Sequence, residues 1–395
     1  MRRFFHYLSG MMLLPVLCLL QACGGEESLI HLDVSLTETE VSSEAGSVFV
    51  RVACEGSWTL AIQPPVEWAT LGTTSGSGNK NSIILDYKSN PETDSRSLTV
   101  VATASGGKVT ASATLTQQGY TAPTPSSGGG VPSTTLSWLE LPATSATDGL
   151  DFFSRDCEIG GVKMRNYAFY WDYSNLVSLW VAYPLYTSYL GSTDRSEAWG
   201  YDPLLPAAKQ QNVSGGYREG NHGWYSRGHQ IPSADRTASY SLNATTFYGT
   251  NMTPQDNDFN GGIWASLEKK VRDWAKQSDT LYVVTGCVLT GAQYYVLDRS
   301  NVRITVPTAY FKAVLRYSKN TTIGSGGFIG AGFWFEHKNY DNTASVIKAQ
   351  SLSISDLEKK LGYDLFVNLP ARVGASAAAT IESENPRNVN WWWNN

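Results

Sequence analysis

Arg227, Gly228 and His229 stand together, followed by Pro232 and by the pair Asp235-Arg236, in the segment 222–236 (HGWYSRGHQIPSADR), whose other members include Trp224 and Tyr225. Hydrolysis of a phosphodiester needs a base to take a proton from water, a cation against the phosphate, and a metal ion to hold charge on the oxygens. His229 is of the type required for the base and Arg227 for the cation. The metal ligand must come from elsewhere. Taken alone, Arg-Gly-His reads more readily as a satisfied histidine in a turn.

A second group changes that reading: Asn251-Met252-Thr253-Pro254-Gln255, then Asn260-Gly261-Gly262-Ile263-Trp264, then Leu267-Glu268 and Arg272. Ile263, Trp264, Leu267, Val271 and Trp274 recur at helical spacing with charges between them, which predicts a helix over 263–277. Asn260 then falls near its N-cap, a place where an amide oxygen is common for structural reasons, and Arg272 stands four residues on from Glu268, the spacing of a helical ion pair.

The two groups, in this order and about thirty residues apart, resemble the signature of the DNA/RNA non-specific endonuclease family, the endonuclease G-like group with a ββα-metal site. Its histidine motif is usually Asp-Arg-Gly-His followed by proline; Ser226 stands at the aspartate position here, so no role is carried over for that carboxylate. The resemblance implies that His229 is the general base, that Arg227 lies against the phosphate, and that Asn260 is the protein ligand of a divalent ion, Mg²⁺ or alternatively Mn²⁺. It implies that Glu268 and Asn251 fix the water shell, and that DNA and RNA are both cut to leave 5′-phosphates. The segment 353–366 (SISDLEKKLGYDLF) resembles a late segment of the same family, so the likeness covers residues 176–370.

These residues need elements to hold them. Strands are predicted around 166–173, 176–183, 281–288, 302–306 and 309–317, with a further helix at 354–362, giving an α+β domain over 136–395. Ahead of it, residues 121–135 mix proline, glycine, serine and threonine and read as an interdomain linker. Residues 31–120 alternate apolar and polar residues in short runs such as 47–52 and 82–87, the pattern of an all-β sandwich. Trp58, Trp68, Gly76, Asn90, Arg96 and Gln117-Gln118-Gly119 resemble the BACON domain, an immunoglobulin-like module. A glycan contact through exposed tryptophans is one role for it. Trp58 and Trp68 read better as core, and a spacer is the simplest role, so a chain starting near Leu136 is expected to keep the chemistry.

Arg2 and Arg3 precede a short apolar run ending in Leu20-Gln21-Ala22-Cys23-Gly24. Residues 1–22 read as a signal peptide, and the site resembles a bacterial lipobox that leaves Cys23 lipidated as the first residue of a tether, 23–30. The expected location is a membrane-anchored, exported lipoprotein on the outer membrane; Gly24-Gly25-Glu26-Glu27 resembles the acidic signals that place some lipoproteins on the cell surface, and whether the protein faces the periplasm or the surface is left open by the sequence. Of five cysteines, Cys54, Cys157 and Cys287 remain after processing, and whether Cys157 and Cys287 pair is left open by the sequence.

The net charge is −5, with the acidic excess ahead of the linker. That balance argues against tight storage on DNA, and a local basic cleft is expected instead, drawn from Arg218, Arg227, Arg236, Lys269, Lys270 and Arg272. There is no Gly-x-Ser-x-Gly elbow and no His-Glu-x-x-His, which removes serine-hydrolase and zincin readings. The alternative from another class is a glycan-binding or adhesive surface lipoprotein whose second domain is an inactive nuclease-like fold.

Overall fold

The computed structural model describes residues 31–119 and 137–394, apart from positions 91, 146 and 148. The signal peptide, Cys23 and its tether, and residues 121–135 of the linker lie outside the described residues.

In the first domain, strand Gly46–Cys54 alternates strictly, turning Val48, Val50, Val52 and Cys54 inward. Two sheets, of four and five strands, enclose one apolar core to which these residues and Trp58 belong. Trp58 lies flat over Gly76, where a Cβ would meet its ring at 2.4 Å, and its indole N–H donates to the Gly78 carbonyl. Trp68 carries Arg96 over its ring at 4.2 Å. Arg96 also donates to Gln117 and to the Lys88 and Ser89 carbonyls, while buried Asn90 donates to the Asp94 and Gln118 carbonyls. These polar residues satisfy loop carbonyls that the sheets leave open.

The second domain is built on a seven-stranded sheet in the order Leu150–Ile159, Val162–Asp172, Val177–Leu185, Thr280–Val288, Ala309–Tyr317, Phe328–Glu336, Ser351–Leu352, each neighbour antiparallel. Both faces are covered, so its central strands read as nearly continuous apolar runs. Along Ala309–Tyr317, Tyr310 and Val314 face one core while Phe311, Ala313 and Leu315 face the other. Helix Ile354–Leu361 packs on the second face through Ile354 and Leu357. The first face receives helix Ala265–Ala275, whose Leu267, Val271 and Trp274 are fully buried. The C-terminal tryptophans close over that helix: Trp392 is buried against Trp274, ring centroids 4.8 Å apart, and its carbonyl accepts from the Trp274 indole. Cys157 and Cys287 are not paired; their thiols point to the carbonyls of Arg165 and Ser178.

The two domains touch. The Glu44 carboxylate accepts from Arg155 at 3.1 Å and from the Tyr248 hydroxyl at 3.0 Å, and Ser89 donates to the Tyr201 carbonyl. Arg155 also binds Asp202, which is fully buried and receives Thr250 as well. Ala45 packs with Ala198, Phe247 and Tyr248. The first domain is therefore docked against the second, which a plain spacer does not require.

Candidate active site

The residues that the sequence singles out lie in the long excursion between strands Val177–Leu185 and Thr280–Val288. Strand Ser226–His229 pairs antiparallel with Met252–Gln255, setting Gly228 opposite Thr253 and His229 opposite Met252. Glycine is required at 228 because the Gln255 side chain fills the space: an added Cβ would stand 2.1 Å from its Oε1. His229 ends the strand, buried, with Phe247 edge-on at 5.0 Å and Trp199 at 5.6 Å between ring centroids. Its ring is hydrogen-bonded to the backbone of Arg227, and Nε2 has no partner among the described residues. That arrangement fixes the tautomer and leaves the lone pair on Nε2. Burial first, then the charges of Arg195 and Arg227, lower its pKa from 6.5 to about 3.

Asn260 is not an N-cap. Asp256 holds that place, its carboxylate accepting from the backbone of Asp258 and Phe259, both at 3.0 Å. The chain then makes a short helical turn, Asn257–Phe259, and a π-turn, Asn260–Trp264, before the regular helix Ala265–Ala275. Gly262 breaks the helical geometry within that turn, and both glycines have open space where a Cβ would be. π-turns inside helices recur at functional sites because they redirect a side chain. Asn260 opens this one, half-buried, with no side-chain hydrogen bond among the described residues.

Glu268 lies one turn further on. Arg272 does not serve as its hydrogen-bonded partner; its guanidinium bonds Asp235 at 2.9 Å, and Tyr183 donates to the other oxygen of the same carboxylate. Half-buried Glu268 instead lies within electrostatic reach of the fully buried Lys312, which projects from the sheet with Tyr310 and Val314. Burial raises the Glu268 pKa against the opposing charges of Lys312 and Arg272, and burial lowers that of Lys312 against the charge of Glu268. The Lys312 ammonium has no hydrogen-bond partner among the described residues and lies 4.8 Å from the centre of the Trp264 ring.

Two expected contact residues are structural. Asn251 is fully buried: its carbonyl oxygen accepts from the Ile231 amide, and its amide donates to the Ile231 and Thr246 carbonyls. With those bonds both amide hydrogens are used, and the side chain clamps the chain that leaves His229. Arg236 is also fully buried, donating to Asn166 and to the Pro184 carbonyl beneath Tyr189. No substrate reaches it. The rest of the expected basic cleft is partly engaged: Arg218 donates to the Asp298 and Arg299 carbonyls, Lys269 pairs with Asp273, and Lys270 lies over Trp274.

Arg227 is half-buried, with its guanidinium 3.4 Å from the centre of the Trp199 ring and one N–H on the Val213 carbonyl. Sequence reading missed Arg195. It is exposed, hydrogen-bonds Ser233, and lies over Phe247 at 4.7 Å, and its charge acts on both His229 and Glu268. Only the packing of segment 191–200 on Phe247 brings it there; no spacing in the sequence announces it.

Oxygen donors suit a hard divalent ion. The candidate donors are the free Asn260 amide oxygen and the Glu268 carboxylate, and among the described residues no group of three or more His, Cys, Asp or Glu side chains is placed to hold a metal. Such a sparse set fits an ion that keeps most of its water.

Residues 149–372, more than half of the chain, match the family model described as DNA/RNA non-specific endonuclease. The chain belongs to that family. It is 31% identical to a nuclease of Nostoc sp. over 223 residues, covering 55% of this chain and 77% of that protein. It is 30% identical to a nuclease of Serratia marcescens over 200 residues, covering 50% of this chain and 71% of the other. Against the mitochondrial nuclease EXOG of Danio rerio the identity is 26% over 216 residues, covering 51% and 59%. The endonuclease region thus begins with the first strand of the seven-stranded sheet and includes every candidate site residue. The first domain lies outside it.

Proposed function

We propose that the protein is an exported, lipid-anchored, sugar-non-specific endonuclease that hydrolyses DNA and RNA. One observation carries this reading: within the endonuclease region, an imidazole with an unpartnered Nε2 ends one strand of a hairpin, and an unpartnered amide opens the π-turn that follows its other strand. This placement supports the ββα-metal site that the family resemblance implies.

In this mechanism Nε2 of His229 takes the proton from a water placed in line with the scissile P–O bond. Arg195 and Arg227 face the phosphate. Burial first, and then their charges, depress the basicity of His229 in the free protein, so an anionic phosphate set between them offsets the charge part of that field and raises the imidazole pKa when substrate is bound. Asn260 would hold Mg²⁺, or Mn²⁺, with Glu268 orienting its waters. The bound ion supplies charge stabilisation for the departing 3′-oxygen, which leaves a 5′-phosphate. Burial raises the Glu268 pKa to about 7, and the charges of Lys312 and Arg272 oppose that rise, so part of the carboxyl population is ionised and able to accept at neutral pH.

The Leu20-Gln21-Ala22-Cys23-Gly24 site supports lipidation at Cys23 and an outer-membrane location. Cys23→Ser should release the protein from the membrane fraction or leave it unprocessed; a processed variant that partitions like the parent contradicts the anchor. The two-sheet first domain supports a BACON-type immunoglobulin-like module. Trp58 is buried and Trp68 lies under Arg96, so neither observation favours a glycan contact. The deciding experiment is incubation of the purified protein with plasmid DNA and with RNA, with and without Mg²⁺. Cleavage of both, only with the ion, supports the proposal, and failure to cut either contradicts it.

A further inference from the structure

We propose that the cavity beside the catalytic hairpin is a subsite for one unpaired nucleobase of the substrate strand, an inference that rests on the nuclease reading above. The cavity holds about 320 Å³, and its walls include His222, Tyr225, Tyr294, Pro307, Thr308 and His337. That lies at the small end of the range for ligand sites, suited to a single flat group rather than a large ligand.

Four aromatic rings, those of His222, Tyr225, Tyr294 and His337, line it. The His222 and Tyr294 rings lie parallel, 3.9 Å apart and 15° from coplanar, and the Tyr225 hydroxyl meets His222 Nδ1 at 2.9 Å. Tyr225 and His337 are a further ring pair at 5.7 Å. No Lys, Arg, Asp or Glu lines the cavity. A phosphate would therefore find no lysine or arginine there, whereas a base offers the flat face that aromatic rings accept irrespective of sequence. Among the described residues of the second domain, the large aromatics that remain exposed are Trp224, at 63%, and Tyr294, at 45%. One lines this cavity and the other is adjacent in sequence to Tyr225, which does. A solvent-exposed aromatic platform of this kind marks a contact surface.

The platform is preformed. Asn221 ties the two segments together, donating to the Gln293 carbonyl at 3.0 Å and accepting from the Tyr295 amide at 2.8 Å. Gly220 lets them approach, since a Cβ there would stand 1.9 Å from the Tyr295 carbonyl oxygen.

The cavity also adjoins both halves of the catalytic site. Tyr225 precedes strand Ser226–His229 directly, so at roughly 3.3 Å per residue it lies no more than about 14 Å along the chain from His229, a reach of one or two nucleotides. On the other side, His337 Nε2 accepts from the Asp256 amide at 2.8 Å, and Asp256 caps the turn that leads into Asn260. A strand whose phosphate rests at His229 thus passes this platform within its next two nucleotides. A base inside a duplex is stacked and cannot enter, so the subsite favours single strands.

The test is direct binding by the full chain, in EDTA to prevent turnover. A fluorescent eight-residue oligothymidylate is compared with versions carrying one abasic residue at each position in turn, read by anisotropy. The parent should bind one abasic version roughly 5- to 100-fold more weakly, the worth of one base–aromatic stack. In Tyr294→Ala and in His222→Ala that penalty should vanish, and Tyr294→Phe, which keeps the ring, should restore it. The inference is overturned if the parent binds all abasic versions alike, or if the penalty persists in folded alanine variants. Failure of the nuclease reading would show separately, as a parent that cuts nothing with Mg²⁺.

Discussion

Phe247 stands edge-on to the imidazole of His229, ring centroids 5.0 Å apart, and the same side chain packs in a cluster with Ala45 of the first domain. The wall behind the candidate base is thus shared between the two domains. Tyr248 reinforces it, receiving the Ala45 amide at 3.2 Å and donating to Glu44.

A chain beginning at Leu136 is therefore expected to be less stable than the parent. It loses the Glu44 and Ala45 bonds to Tyr248 and uncovers the cluster around Phe247. At about 1 kcal/mol per hydrogen bond, and about 2–4 °C per kcal/mol for a domain of this size, its melting temperature should fall by at least ~4 °C. Thermal melts of both chains check this, and an unchanged midpoint would mean that the domain contact contributes nothing.

The low pKa of His229 has a consequence for stability. The folded value, about 3, lies below the ordinary 6.5, so the unfolded chain takes up a proton that the folded chain refuses. This contribution is fully present above pH 6.5 and is lost as pH falls from 6.5 towards 3, amounting to no more than about 5 kcal/mol. His229→Gln, which cannot titrate, should lose stability less steeply between pH 7 and pH 4 than the parent. Urea melts across that range measure the difference, and equal slopes would contradict the buried neutral state.

Gly228→Ala should be poorly tolerated. Its Cβ would press on the Gln255 side chain from 2.1 to 2.4 Å, and such overpacking costs typically about 1–3 kcal/mol. Because His229 is the next residue, cleavage should fall as well. Combining the change with Gln255→Ala should recover part of the stability in chemical melts; no recovery would place the strain elsewhere.

Much of this site is legible in the chain. His229, Asn260 and Glu268 stand out by motif, and the apolar spacing of Leu267, Val271 and Trp274 gives the helix that carries Glu268. What the sequence conceals is depth and long-range approach. Arg236 and Arg227 look alike as charges, but one is sealed beneath Tyr189 and the other half-buried on Trp199. Arg195 reaches the site only through the fold of segment 191–200. The π-turn at Asn260 depends on Asp256 taking the cap and on Gly262 leaving helical geometry, neither of which a periodicity of apolar residues can register. Trp391-Trp392-Trp393 likewise acquires its meaning only when Trp274 is in place beneath it.

The central claim is that His229 is the base and Asn260 the ion's protein ligand, and a Mg²⁺ titration of DNA cleavage by the parent, His229→Ala and Asn260→Ala tests it most directly. His229→Ala should bind DNA yet lose roughly 10²–10⁴-fold in turnover at every Mg²⁺ concentration. Asn260→Ala should recover part of its activity as Mg²⁺ rises, because mass action offsets the loss of one ligand to a largely hydrated ion. With Asp256 holding the cap, Asn260→Ala should also be spared the ~1 kcal/mol that losing an N-cap costs. Near-parental turnover in His229→Ala would contradict the account.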